Sequence, residues 1–202
     1  MKRLILIRHG ETDYTQEGRY CGREDIQLNR RGKEQARLLA KKFSAIKVDS
    51  VYSSDSCRAY MTAQIIFEDK NILKKKDLRE IDFGRLSGLN YEEAERLYPS
   101  IIRDWSQCPL YISMPEGEAF RGFKNRVSRC YKDIVKENEG KSVVIVSHGG
   151  PMRIILLQLL GLGPERFWEI SLDAAGICFV EFSKKAPKIS MMEGARWPNL
   201  SL

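Results

Sequence analysis

The sequence predicts an α/β layered fold, because apolar runs typical of strands alternate with segments of helical periodicity. The apolar runs lie at about residues 3 to 7, 48 to 53, 142 to 147 and 177 to 182. The segments between them are long enough to hold helical crossovers between strands. We therefore expect helices packed against one sheet.

Three helices are marked by the spacing of their apolar residues. The first follows an entry turn at Asn29 and Gly32, and its apolar face consists of Ala36, Leu39, Ala40 and Phe43. The second carries on one face Phe120, Phe123, Val127, Tyr131 and Ile134. The third, residues 152–160, is apolar nearly all round, which is typical of a helix packed deep against a sheet. Gly161 and the pair Gly163-Pro164 end it.

Length and hydropathy predict a single globular domain spanning residues 1–202, since 23.3 kDa is enough for one well-buried core. No run of about 18 apolar residues is present to cross a membrane. The N-terminus begins like a secretion signal, but Arg8 and His9 end the apolar segment too early. We therefore predict a cytoplasmic protein without a membrane partner, and the sequence leaves its oligomeric state open.

The cysteines and the net charge narrow the range of ligands. The five cysteines form an odd set without a Cys-x-x-Cys pair, which argues against a disulfide framework and a zinc knuckle. The formal charge of +7 favours anionic ligands. No basic stripe interleaved with aromatic residues appears, so we predict no nucleic-acid partner.

The first predicted strand ends in Arg8-His9-Gly10, which is an arrangement suited to phosphate chemistry. A neutral histidine can accept a phosphoryl group when the anionic substrate is held in line and its charge is neutralised. Arg8 supplies part of that neutralisation, since a guanidinium matches phosphate oxygens with paired donors. Arg58 is a second candidate, in the first turn of a helix that Ser54 or Asp55 can cap.

The only other histidine, His148, also follows an apolar run and precedes Gly149-Gly150-Pro151. Its imidazole and the free amides of the next helix can face the same phosphate, and proline at a helix start fits that geometry. The leaving oxygen also needs a proton donor, for which Glu80 is our choice. Each of these residues taken alone can instead be structural, either a histidine packed in the core or a surface ion-pair partner. The functional interpretation therefore rests on their combination.

Together these motifs resemble the histidine phosphatase superfamily, the phosphoglycerate mutase-like proteins, along nearly the whole chain. The matching segments are LIRHGET at 6–12, Gly18-Arg19 and Gly22 with LNRRGKEQA at 28–36, SSDSCRA at 53–59 with Thr62-Ala63, LREIDFG at 78–84 with LSG at 86–88, and VSHGG at 146–150. The resemblance implies a three-layer α/β/α sandwich with a central, mostly parallel sheet. It also implies a phosphohistidine intermediate on His9, roles for Arg8, Arg58, Glu80 and His148 in catalysis, and no metal or other cofactor.

The resemblance further implies that the substrate is a small phosphomonoester, contacted by residues near the two histidines. The candidate substrate-binding residues are Thr15, Cys21, Gly22 and Gly149. Many members have asparagine where Thr15 stands and a small hydroxyl residue where Cys21 stands. Within the superfamily, MPEGE at 114–118 and FWEISLD at 167–173 resemble the α-ribazole phosphatase branch, which implies α-ribazole 5'-phosphate as substrate in cobalamin nucleotide-loop assembly.

A further set of apolar side chains can form a lid over an aromatic leaving group or can simply pack the core. They are Tyr14, Tyr20, Phe83, Trp105, Tyr111 and Met114.

Several other functions stay open. The first alternatives are a broad-specificity or sugar-phosphate phosphatase of the same superfamily and a phosphoglycerate mutase. A mutase usually has a longer insertion after the acid segment, whereas residues 90–110 are short and offer chiefly Arg96 and Arg103. A metal hydrolase with two histidines and one carboxylate, and a non-catalytic phosphate-binding module, complete the set. The phosphatase is favoured because it gives both histidines a joint role.

Overall fold

The computed structural model describes residues 1–183 and 187–196 of the chain. The strands are β1 (Arg3–Arg8), β2 (Ser50–Ser53), β3 (Ile72–Lys74), β4 (Ser142–Ser147), β5 (Ser171–Phe182) and β6 (Pro187–Arg196). The helices are α1 (Asp13–Gln16), α2 (Arg30–Phe43), α3 (Cys57–Ile66), α4 (Tyr91–Leu97), α5 (Pro99–Gln107), α6 (Phe120–Glu137) and α7 (Gly149–Leu160). Short 3-10 turns lie at Lys76–Leu78, Gly84–Leu86, Pro109–Tyr111 and Pro164–Glu169.

The six strands form one sheet in the order β3-β2-β4-β1-β5-β6. Strands β3, β2, β4 and β1 run parallel, whereas β5 pairs antiparallel with β1 and with β6. In the β1–β4 register Arg3 lies opposite Ser142 and Arg8 lies opposite Ser147. The carboxyl ends of these two central strands therefore meet at one edge of the sheet, where ligands bind in open α/β sheets.

Alternate residues of the central strands point to opposite faces of the sheet and supply two separate cores. One core packs α6 and α7 against Leu4, Leu6, Val143 and Ile145. The other packs α2 and α3 against Ile5, Ile7, Val144 and Val146. All six residues of β4 are buried, as expected of a strand covered on both faces. The predicted α/β fold, a three-layer α/β/α sandwich with a mostly parallel sheet, is confirmed.

The strands and helices predicted at the centre of the fold are present, but the sequence did not predict β3 and β6, the two edge strands of the sheet. Asn29 caps α2 by accepting the amide of Gly32, and α7 ends at Gly161 in the left-handed region (φ 66°). The strand predicted at 177 to 182 is the second half of β5, which begins at Ser171. Ser56, rather than Ser54 or Asp55, occupies the N-cap position of α3, but its side chain makes no capping hydrogen bond, and the amide of Cys57 donates to Asp25 at 2.7 Å instead. The side chains of Ser54 and Asp55 are engaged elsewhere, with His148 and Arg79.

None of the helices within the described ranges combines the length and the apolarity that crossing a membrane requires.

Candidate active site

The two histidines meet at the carboxyl ends of β1 and β4. His9 follows β1 directly, and its backbone amide donates to the carbonyl of Ser147 at 2.9 Å. His148 follows β4 and stands at the N-cap of α7. The two imidazole rings lie edge to face, with centroids 5.1 Å apart and an interplanar angle of 63°. The parallel pairing of β1 with β4 therefore brings together the two motifs that are 139 residues apart, from 9 to 148.

The hydrogen bonds of His9 define its tautomer. Nδ1 lies 2.8 Å from the carbonyl oxygen of Gly10, which can only accept, so Nδ1 carries the proton. Nε2 has no partner among the described residues and keeps its lone pair. Burial, followed by the charges of Arg58 and Arg8, holds the pKa of His9 well below its usual value. His9 is therefore a neutral imidazole with a free nucleophilic nitrogen at pH 7.

A close backbone approach fixes the turn after His9. The amide of Gly10 donates to the hydroxyl of Thr62 at 3.1 Å. A Cβ at Gly10 would lie 2.5 Å from the carbonyl oxygen of Gly32 in α2, so only glycine fits there. The Thr62 hydroxyl in turn donates to the carbonyl of Arg58 at 2.7 Å, which ties the nucleophile turn to α3.

His148 has one bound and one free ring nitrogen. Nε2 lies 2.9 Å from the hydroxyl of Ser54, and Nδ1 is buried without a partner. Burial, followed by the charge of Arg58, lowers the pKa of His148 well below its usual value. The hydroxyl of Ser54 can donate to Nε2, in which case Nδ1 carries the proton and can donate to an anion.

Two arginines flank the histidines. Arg58 is fully buried and donates to three carbonyl groups of one loop: Nη1 to Glu24 at 2.8 Å, and Nη2 to Gly22 at 2.8 Å and to Cys21 at 3.3 Å. Arg8 donates through Nη1 to the carbonyl of Leu172 at the start of β5. Burial lowers the pKa of Arg8, although Glu80 and Asp173 oppose that effect.

Five buried side-chain nitrogen or oxygen atoms lack a hydrogen-bond partner in the described part of the chain, and three of them belong to this cluster. They are Nε of Arg8, Nε of Arg58 and Nδ1 of His148. An unsatisfied buried donor costs about 1 to 3 kcal/mol, so such atoms need an explanation. A bound oxyanion would supply acceptors to all three. The N–H of Gly149, in the first turn of α7, also has no acceptor among the described residues and faces the same need.

Glu80 lies beside the start of α7. One carboxylate oxygen accepts the amide of Gly150 at 3.0 Å, and the other accepts the amide of Ile81 at 3.0 Å. The segment that carries Glu80 is tied to β4 by the hydroxyl of Ser147, which donates to the carbonyl of Leu78 at 2.7 Å.

Arg126 of α6 holds the acid segment by its backbone. Its guanidinium donates to the carbonyls of Asp77, Arg79 and Glu80 at 2.8 to 2.9 Å. It also pairs with both carboxylate oxygens of Glu118 at 2.7 and 2.8 Å. A bidentate pair of this kind gives a fixed orientation, and the Glu80 backbone is accordingly fixed.

Sequence comparison assigns the family. A family model described as the histidine phosphatase superfamily (branch 1) matches residues 4–193. The chain belongs to this superfamily. It is 37% identical over 187 residues to phosphoserine phosphatase 1 from Hydrogenobacter thermophilus, an alignment that covers 92% of this chain and 89% of the relative. The chain is a phosphatase, a phosphoric monoester hydrolase that takes a small phosphate ester.

Solved structures of the superfamily share the whole fold. A putative α-ribazole-5'-P phosphatase from Escherichia coli is 25% identical with a TM-score of 0.87, covering 99% of each chain. A mutant phosphoserine phosphatase from Entamoeba histolytica in complex with phosphoserine is 31% identical with a TM-score of 0.81, covering 95% of this chain and 96% of that one. The two neighbours carry different substrate names, so the fold does not choose between them.

Of the four predicted substrate-binding residues in this histidine phosphatase, two lie in the loop that Arg58 holds. Cys21 and Gly22 contact Arg58 through their carbonyl oxygens, and burial raises the pKa of the Cys21 thiol. Gly149 is the first residue of α7. The hydroxyl of Thr15 accepts the amide of Thr12 at 2.8 Å and donates to its carbonyl at 2.9 Å, so it serves the cap of α1. Contact of these four residues with a substrate stays a prediction.

The six side chains considered as a lid divide into a buried group and a more exposed one. Phe83, Trp105 and Met114 are buried in the core beside α6, where the packing alternative accounts for them. Tyr20 packs against Phe83 at a tilt of 55° with ring centroids 5.0 Å apart, Tyr14 is half-buried, and Tyr111 is 88% exposed.

The structure also bears on two alternatives, the phosphoglycerate mutase and the metal hydrolase. Arg96 and Arg103, the cations considered for a mutase, are exposed, and Arg103 pairs with its neighbour Asp104. Within residues 1–183 and 187–196, no three His, Cys, Asp or Glu side chains lie close enough together to hold a metal ion.

Sequence reasoning missed two arginines of this histidine phosphatase. Arg126 gave no signal beyond its place on a predicted helix. Arg153 interrupts an apolar helix, four residues after Gly149 and hence on the same helix face, which is a signal that could have identified it. Its guanidinium lies 5.0 Å from the ring centre of Trp168.

Proposed function

We propose that the chain hydrolyses a phosphomonoester through a phosphohistidine formed on His9. The observation that carries this proposal is the set of unpartnered buried atoms on Arg8, Arg58 and His148 around the free Nε2 of His9. Donors held ready where charge develops supply much of the rate enhancement in phosphoryl transfer, because they need no reorganisation during the reaction.

The proposed reaction has two steps. Nε2 of His9 attacks phosphorus as the bond to the leaving oxygen breaks, while Arg8, Arg58 and His148 hold the other phosphoryl oxygens. Protonated Glu80 gives its proton to the leaving oxygen. In the second step Glu80 takes a proton from water, the resulting hydroxide attacks phosphorus, and the P–N bond breaks to release inorganic phosphate. No step uses a metal ion.

We extend the proposal to the organisation of the chain. Residues 1–202 act as one histidine phosphatase domain, which the match over residues 4–193 supports. The enzyme works in the cytoplasm, which its five free cysteines support, because thiols stay reduced there.

Two substrates are candidates. α-Ribazole 5'-phosphate, and with it a place in cobalamin nucleotide-loop assembly, is supported by residues 114–118 and 167–173 and by the Escherichia coli neighbour. Phosphoserine is supported by the relative at 37% identity and by the Entamoeba histolytica complex. The burial of Phe83, Trp105 and Met114 favours phosphoserine, since these side chains are not free to cover a heterocycle.

The mechanism is tested by trapping the intermediate. Wild-type protein turning over a ³²P-labelled phosphoester is quenched within milliseconds, and the acid-labile label is assigned by peptide mapping. We expect the label on His9, and we expect His9→Ala to lose the label and at least about 1,000-fold in kcat. Near-native activity of His9→Ala, with circular dichroism and Tm matched to wild type, would overturn the mechanism.

A substrate panel tests the rest of the proposal. It contains α-ribazole 5'-phosphate, phosphoserine, fructose 2,6-bisphosphate, nucleoside monophosphates, and 3-phosphoglycerate with a bisphosphate primer. Isomerisation of 3-phosphoglycerate would support the mutase, and activity lost to a chelator and restored by a divalent metal would support the metal hydrolase. Tight binding without turnover across the panel would support a non-catalytic module.

A further inference from the structure

A third guanidinium, that of Arg153, reaches the predicted phosphate site from the side of α7. A Cβ placed on Gly149 would lie 3.4 Å from Nη1 of Arg153 and 3.8 Å from Nε of Arg8. The two guanidinium groups thus approach the same backbone position from two elements, α7 and the end of β1. Two like charges so close together repel each other, and the negative charge of Glu80 offsets part of that repulsion for both arginines.

The head group of Arg153 is held in place without a direct contact to a carboxylate of the described residues. Nε donates to the carbonyl of Ile170 at 2.6 Å, and the guanidinium lies over the rings of Phe167 and Trp168, at 5.3 and 5.0 Å from their centres. Within the described ranges Arg153 has no ion pair, and neither Nη atom has a hydrogen-bond acceptor. Burial lowers its pKa to about 10, which still leaves it charged at pH 7.

The position of Arg153 relative to the other charges indicates which part of a substrate it meets. Arg153 and Glu80 approach the first turn of α7 at consecutive residues: a Cβ on Gly149 would lie 3.4 Å from Nη1 of Arg153, and a Cβ on Gly150 would lie 2.2 Å from Oε1 of Glu80. Arg153 therefore lies on the Glu80 side of the site. In the proposed reaction Glu80 protonates the leaving oxygen, so that side receives the leaving group.

We propose that Arg153, together with Arg8, forms a subsite for a second anionic group on the leaving group, such as a carboxylate one or two carbons from the phosphoester oxygen. This inference rests on the proposed phosphatase mechanism. A planar carboxylate can accept two parallel hydrogen bonds from the free Nη atoms of Arg153. The substrate class is then that of phosphorylated hydroxy acids and hydroxyamino acids. α-Ribazole 5'-phosphate, whose leaving group has no anion, gains nothing from this subsite.

The test compares two substrates that differ by one carboxylate, O-phosphoserine and O-phosphoethanolamine, with 4-nitrophenyl phosphate as a general reporter. The variants are Arg153→Met, which keeps the apolar stem, and Arg153→Lys, which keeps the charge but not the planar guanidinium with its paired donors. Arg121→Met, an exposed arginine on α6, is the matched control. We expect wild type to prefer phosphoserine and Arg153→Met to lose about 10- to 100-fold in kcat/KM for it, mainly through KM. Phosphoethanolamine and 4-nitrophenyl phosphate should change less than about threefold.

The outcomes separate this inference from the proposed mechanism. An equal loss on all three substrates, or no loss on phosphoserine, would overturn the subsite, as would a wild-type enzyme that cleaves 4-nitrophenyl phosphate but no carboxylate-bearing ester. In each of those cases labelling of His9 by 4-nitrophenyl phosphate would leave the mechanism standing. Absence of any labelling or turnover in wild type would instead remove the mechanism, and the subsite with it. If Arg153→Met does not fold, Arg153→Lys decides, with an intermediate loss confined to phosphoserine expected.

Discussion

Glu80 and Gly150 are in direct contact: the amide of Gly150 donates to one carboxylate oxygen of Glu80 at 3.0 Å, and a Cβ on Gly150 would lie 2.2 Å from the other. The proposed proton donor is thus positioned by the first turn of the helix that begins after His148. Any side chain at position 150 must displace either the carboxylate of Glu80 or the first turn of α7.

We therefore expect Gly150→Ala to lower kcat by about 10- to 100-fold, because a small displacement of a catalytic group has effects of that size. The matched control is Gly122→Ala in α6, where a Cβ meets nothing within 4 Å and alanine favours the helix. Steady-state kinetics with 4-nitrophenyl phosphate measure the effect. Wild-type kcat in Gly150→Ala would show that Glu80 is not required where it stands.

Arg126 gives a second prediction. Arg126→Gln removes the bonds to three carbonyl groups of the acid segment and leaves Glu118 without its partner. We expect the free energy of unfolding to fall by about 2 to 4 kcal/mol and kcat to fall about tenfold, while KM changes little. Urea unfolding and kinetics well below the Tm measure the two effects. Arg129→Gln, a control on the same helix with a largely exposed side chain, should cost less than about 1 kcal/mol. An Arg126→Gln enzyme with lower stability but unchanged kcat would limit Arg126 to a structural role.

The loop that Arg58 holds allows a test of whether Cys21 and Gly22 act through their side-chain positions or through their backbone. Cys21 contacts Arg58 through its carbonyl, so Cys21→Ser should keep kcat/KM within about threefold. Gly22→Ala should lose more than about tenfold, because its Cβ would lie 2.8 Å from the carbonyl oxygen of Ile81 and force the loop away. A large loss in Cys21→Ser would instead indicate that the thiol itself touches the substrate.

The buried histidines predict how stability depends on pH. Burial, followed by nearby arginine charge, places the pKa of His9 and His148 in the folded protein well below the value of about 6.5 in the unfolded chain. The unfolded chain therefore binds more protons below that pH, so stability is full above it and is lost as the pH falls through and below it. Each histidine should remove about 1.4 kcal/mol between pH 7.5 and 5.5.

Urea unfolding at the two pH values measures this loss. His9→Asn removes one of the two titrating groups, so it should lose about half as much stability as wild type over the same interval. Equal losses in the variant and wild type would show that His9 does not titrate in this way.

The sequence predicted the centre of the fold better than its margins, for reasons visible in particular residues. β4 is buried on both faces, so its residues form one continuous apolar run, and α6 shows a clear helical spacing. β3 has three residues, and Leu73 and Lys74 are exposed, so no pattern distinguishes it from a loop. β6 lies at the sheet edge, where polar residues such as Lys188 and Glu193 interrupt any apolar alternation.

The candidate site also contains residues that the sequence predicts well and residues that it does not. The residues proposed for the chemistry, such as His9 and His148, follow strands within short motifs, and a motif can be found by reading along the chain. Arg153 differs because its orientation depends on the carbonyl of Ile170, which lies outside any motif of the two histidines. A contact of this kind is set by tertiary packing and has no local signature.

The place of β1 in the sheet has a consequence for biosynthesis. The first strand to leave the ribosome lies between β4 and β5, whose pairing residues begin at Ser142 and extend to Glu181. Strand β1 therefore cannot pair with either neighbour until most of the chain has been synthesised. Pairings between strands this distant in sequence form slowly. The side chain of Arg8 also cannot be fixed early, because its acceptor, the carbonyl of Leu172, is synthesised after the whole of β4. A nascent chain that stops before β5 cannot fix Arg8, so we expect anion binding to arise only at the last stage of synthesis.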